Sequence, residues 1–70
     1  MFQVEALIRV KQSVSVFAED ELLQVEESDY QVALVTIEPP SHVGRRTIFQ
    51  RGQVELWFAQ GAMTLEPRDQ

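Results

Sequence analysis

"YQVALVTIE", residues 30–38, is the stretch on which the fold turns. Val32, Ala33, Leu34, Val35 and Ile37 leave neither face of a two-residue repeat polar. A short apolar run rich in β-branched side chains suits a central strand covered on both sides. "ESD" at 27–29 precedes it with turn chemistry, since Ser and Asp side chains bond nearby backbone groups. Pro39 and Pro40 end it, because proline donates nothing to a ladder and restricts the residue before it. A central strand needs neighbours, and both flanks supply candidates.

Upstream, Phe2, Val4, Ala6, Ile8 and Val10 share one face, while Gln3, Glu5 and Arg9 share the other, with Leu7 the exception. The even positions are apolar again at Val14, Val16 and Ala18. One strand of that length is unusual. The pattern therefore predicts strands near 2–10 and 13–18 with a bend at "KQS", residues 11–13. "AEDELLQVEES", residues 18–28, reads as an acidic turn at 19–21 and a short strand at 22–26. Its Glu, Leu, Gln and Ala content keeps a short helical turn near 19–25 as the competing reading.

Downstream, every Gly and Pro lies after residue 38, so the chain is cut into short pieces. "SHVGRR" at 41–46 is a loop in which Gly44 is free to take a positive φ. "TIFQ" at 47–50 reads as a strand and "RG" at 51–52 as a tight turn. "QVELWFAQ" at 53–60 alternates, with Val54, Leu56 and Phe58 opposite Gln53, Glu55, Trp57 and Ala59. Gly61 marks a turn and "AMTLE" at 62–66 pairs back. Pro67 stops it, and Arg68 to Gln70 is a frayed tail. The expectation is all-β: a single domain over 1–70, with six or seven short strands in a small antiparallel barrel or two-sheet sandwich.

Seventy residues without a cysteine leave no disulfide and no cysteine-based zinc site. A domain this small buries little core, and oligomerisation is the staple that remains. The net charge of −5 is uneven. Residues 1–38 carry two basic against eight acidic side chains, or −6; residues 39–70 carry four against three, or +1. That asymmetry suits contact between copies or with a basic partner, and equally suits plain solubility. Acidity disfavours non-specific nucleic-acid binding. No apolar stretch approaches a membrane span, and "MFQVEALIRV" lacks a signal-peptide pattern. A cytoplasmic location follows as an expectation from the absence of cysteine.

Chemistry is sparse. His42 lies beside Ser41 with no acid nearby in sequence, which predicts an exposed loop histidine rather than part of a nucleophile relay. The acidic run 19–29 lacks the glycine and ligand spacing of a calcium loop. No phosphate loop, metal spacing or nucleophile motif occurs, so the reading is non-enzymatic and without cofactor. Arg45, Arg46 and Arg51 form a basic island with no acid between them. Phe17, Phe49 and Trp57 fall on the polar faces of their predicted strands, where either the chain itself or a partner must cover them. These six residues are the candidate interface. They belong to a module that self-associates through sheet edges and binds a protein partner. The alternative is a small oligomeric RNA- or DNA-binding regulator using the three arginines.

Two stretches resemble known families. "RGQVELWFAQGAM", residues 51–63, is similar to the C-terminal hairpin of the trp RNA-binding attenuation protein family, where Arg-Gly is followed by another glycine after a similar gap. That resemblance implies an all-β subunit in a ring joined edge to edge, with RNA on the rim and Arg51 at a basic contact. The family's accompanying lysine falls at Phe49 here, and its tryptophan-binding loops have no counterpart. "RV" at 9–10 and "QV" at 31–32, followed by a proline and then Arg and Ile, resemble the CsrA family of RNA-binding β dimers. The "GE" and "IGD" signatures of that family are missing.

Overall fold

The structure, a computed structural model, describes residues 3–38 and 40–66. Five strands, β1 (Leu7–Val10), β2 (Leu22–Ser28), β3 (Gln31–Glu38), β4 (Arg46–Gln50) and β5 (Met63–Glu66), form one antiparallel sheet in the order β4-β3-β2-β1-β5. One helix, α1 (Arg51–Ala59), runs between β4 and β5, and a 3-10 turn covers Pro40–His42. The run at 30–38 forms the interior strand β3, flanked by β2 and β4 as its sequence predicts, but it starts at Gln31 and only one of its faces is covered by the helix.

The expected barrel or sandwich gives way to an open sheet. β4 and β5 lie at opposite edges and do not pair with each other. With α1 inserted between β4 and β5, the last strand pairs with β1 rather than closing onto β4. Instead α1 and the β1–β2 connection cover one face. Alternation sends Ile8, Val10, Leu23, Val25, Val32, Leu34 and Met63 to that face, where they pack with Phe17, Val54, Trp57 and Ala62.

The largest correction is at 51–60, where a turn and strand were expected and α1 forms. Period two and period 3.6 overlap in so short a segment. Val54, Leu56 and Phe58 fit the first; Val54, Trp57 and Phe58, spaced i, i+3, i+4, fit the second. The helical set turns inward: Val54 and Trp57 are buried, Phe58 packs against the core, and Leu56 is left exposed. Gly61, at φ +79, closes the helix. The Ala62 amide donates to the Trp57 carbonyl at 2.9 Å and the Gly61 amide to the Phe58 carbonyl at 3.1 Å. This is a Schellman closure, which needs a left-handed residue at that position.

The strand predicted at 13–18 is instead a tight turn closed by a bridge between Val14 and Phe17, with Ser15 at φ +52. It folds Phe17 under the sheet. The first strand is shorter than 2–10; residues 4–5 form a turn with Glu5 at φ +74. The helical reading of 19–25 fails: 19–20 is a turn, and β2 runs on to Ser28 through a bulge at Glu26. The strand at 47–50 is observed with one residue added at its start. Phe2, Pro39, Pro67 and the tail from Arg68 lie outside the described residues.

Candidate functional site

The six residues singled out by sequence separate into two sets. Phe17, Phe49 and Trp57 join in an edge-to-face chain inside the core: Phe17 to Phe49 at 5.7 Å and Phe49 to Trp57 at 4.9 Å. Their cover comes from their own chain. The T-shaped arrangement sets the positive ring edge of one against the negative face of the next.

The arginines stay at the surface, each engaged with the N-terminal half of the same chain. Arg45 donates to the Val16 carbonyl at 3.1 Å. Arg51 donates to the Asp29 carbonyl at 2.7 Å and to Ser28 Oγ at 2.8 Å. Arg46 hydrogen-bonds Glu26 and lies 3.5 Å from Glu27. The Glu26 bond raises the Arg46 pKa above its ordinary value, with the charges of Glu26 and Glu27 adding to it against a desolvation penalty. The geometry behind this is simple. β2 and β4 flank β3, so the acidic and basic parts of the sequence become neighbours two strands apart. The bulge at Glu26 brings two consecutive carboxylates within reach of one guanidinium. The bridge crosses β3 over Ala33, a small residue fully buried on this face.

A second clasp holds the other end of the same face. Arg9 on β1 bonds Glu66 on β5 at 3.4 Å, reaches the Asp20 carbonyl at 2.9 Å, and lies 3.6 Å from Glu38 on β3. Its pKa is raised, chiefly by the Glu66 hydrogen bond. Between the clasps, Leu7, Leu22, Val35 and Ile37 form a half-buried apolar floor. No helix covers this face among the described residues.

The face runs out to the free edge of β4. The Arg51 amide bonds the Tyr30 carbonyl and the Thr36 amide bonds the Arg45 carbonyl. In an antiparallel ladder, residues 45, 47, 49 and 51 therefore turn their backbone groups to β3. Arg46, Ile48 and Gln50 turn theirs outward. Ile48 shares the open face and is 46% exposed. Neither proline nor lysine guards this strand.

A different site sits where the β1–β2 connection meets the end of β3. His42, expected in an exposed loop, is partly buried beside Glu21, which is only 2% exposed. Glu21 Oε1 accepts the Ala18 amide at 2.5 Å. Its Oε2 lies 3.6 Å from His42 Nδ1, within ion-pair range but beyond a hydrogen bond, and both atoms are buried without a hydrogen-bond partner. Ala18, Glu19, Asp20, Glu38 and Pro40 complete a pocket of about 350 Å³. Sequence reading missed this pair because its members are twenty-one positions apart. The available signal was an acidic residue at the in-facing parity of β2, the parity of Leu23 and Val25.

A wider recess of about 720 Å³ opens at the β2–β3 hairpin, between Tyr30, Gln31 and Gln50, with Arg51 anchored in its wall. Among the described residues no group of three or more His, Cys, Asp or Glu is placed to hold a metal ion, and no helix is long and apolar enough to cross a membrane. No family model, curated protein or solved structure matches the chain. The segment that resembles the ring-family hairpin is α1 with the start of β5, so that likeness does not extend to the fold.

Proposed function

We propose that the chain is a non-enzymatic interaction module that self-associates by pairing its β4 edges. The observation that carries this reading is the unguarded edge at Arg46, Ile48 and Gln50, continuous with an uncovered sheet face. The occupant is a second copy. A two-fold pairing centred on Ile48 sets Ile48 against its symmetry mate and Arg46 against Gln50 of the other copy, so no like charges oppose. It joins two five-stranded sheets into one and removes the exposed β4 edge from each. Arg45, Arg46 and Arg51, already held by acceptors of their own chain, flank this edge and orient it rather than bridge it. A protein partner would then meet the continuous open face.

Light scattering behind size exclusion tests this at tens of micromolar. The expected species is a dimer. Gln50→Pro is the sharp variant: Gln50 has φ −69, which proline adopts, and its amide points outward, so only the edge bond is lost. It should be folded and monomeric, as should Ile48→Lys. A monomeric parent chain at that concentration overturns the reading. A strand supplied by a different protein would instead give a hetero-complex blocked by the same variants. Binding of RNA or DNA that weakens steeply with salt and drops on Arg46→Ala would favour the nucleic-acid alternative.

A further inference from the structure

We propose that the pocket at Glu21, Glu38 and His42 binds a primary alkylammonium group. The buried Glu21 carboxylate uses one oxygen on the Ala18 amide and leaves the other without a hydrogen bond. A buried carboxylate left so is costly, and it calls for a cationic donor. With His42 in its Nε2–H tautomer, Nδ1 is also an acceptor. The two orphaned atoms then lack the same thing. At 3.6 Å they are beyond hydrogen-bond length from each other and close enough for one nitrogen to reach both. An ammonium carries three donors. Two would go to Glu21 Oε2 and His42 Nδ1, and Glu38, which lines the same pocket, adds negative charge beside them.

The surroundings select for charge. Glu19, Asp20 and Glu38 line the same pocket; the Arg9 guanidinium bonds Glu66 and the Asp20 carbonyl and lies 3.6 Å from the Glu38 carboxylate, which leaves the Glu21 carboxylate without a cation of that kind. A compact ammonium suits two acceptors only 3.6 Å apart better than a planar guanidinium fork does. The His42 side chain, 37% exposed, forms the outer wall through which the group enters. Pro40 and Ala18 supply the apolar sides for an alkyl stem. The proposal stands apart from β4 pairing, since the pocket lies at the other end of β3 from the recess at Tyr30 and shares none of the residues 46–50.

The test is a titration of the full chain with 1,4-diaminobutane, followed by amide chemical shifts, with 1,4-butanediol as the uncharged control. Saturable shifts at Glu21, Glu38 and His42, absent with the diol, are expected. Glu21→Gln and Glu38→Gln should each weaken binding about tenfold, the loss of one charge-assisted hydrogen bond at Glu21 and of one neighbouring charge at Glu38. Glu55→Gln, an exposed acid on α1, should leave it unchanged. Glu38 is exposed, so its variant is readable even if the Glu21 variant unfolds. A lysine-containing peptide and its acetylated form separate the two sources of the ammonium: binding by the diamine alone assigns a free amine, and binding by the unacetylated peptide assigns a partner's lysine. No saturable shift with either probe overturns the proposal. So does equal loss in the Glu55 and Glu38 variants, which would mean diffuse charge attraction.

Discussion

Single residues decide two local structures. Gly61 is one. A Cβ there would meet nothing within 4 Å, so the cost of replacing it is conformational alone. Gly61→Ala should cost about 1 kcal/mol in denaturant unfolding, the penalty of a left-handed L-residue. Glu21 is the other. Gln at this position keeps the acceptor for the Ala18 amide and discharges the buried group. Glu21→Gln should therefore be as stable as the parent or more so. Glu21→Ala strands the Ala18 amide and should lose about 1–3 kcal/mol. Equal losses in both variants would mean that the pocket needs the charge itself. The pair was illegible in sequence for a physical reason: a buried acid is marked by its strand face, and the facing histidine arrives from a separate connection.

At the scale of elements, α1 is the test case for how far pattern reading reaches. A strand at 53–60 would bury Leu56 and leave Trp57 on the opposite side; the helix does the reverse. Trp57→Ala should then cost about 3–5 kcal/mol, enough to unfold so small a domain, while Leu56→Ala stays within about 0.5 kcal/mol. Matching chemical denaturation curves for the two variants would contradict the helix. The ambiguity is inherent in nine residues with four large apolar groups, because each period takes three and both share Val54 and Phe58. Gln, Glu, Leu and Ala around Trp57 and a glycine just after the run were the helical signals present. For β3 the conflict is weaker, since its β-branched residues, its short length and the Ser-Asp and Pro-Pro that bound it all favour a strand.

For the whole molecule, the segregation of charge resolves inside the chain. The sequence separates −6 from +1, and the sheet order returns β4 to the acidic strand β2 across a single intervening strand. Both arginine clasps lie on the surface and are screened by salt. High salt should shift the unfolding midpoint far less than Trp57→Ala does. If it instead unfolded the chain, the clasps would hold the fold, and the core would not. The same surface leaves one sheet face without a helix and the edges at β4 and β5 without a partner strand among the described residues. Dilution experiments on the dimer expected from β4 pairing therefore read out the molecule's remaining unsatisfied surface.

By itself the sequence determined the interior strand at 30–38, strands near 2–10, 22–26 and 47–50 that the structure trims or extends by a few residues, and the turns at 19–21 and Gly61. These are local matters: side-chain alternation and backbone freedom act over a few residues and leave their mark in order along the chain. Tertiary structure alone decided that 51–59 coils, that the sheet stays open, and that Glu21 meets His42. Those outcomes depend on which surface each segment finds to pack against. That surface exists only once distant strands have assembled it.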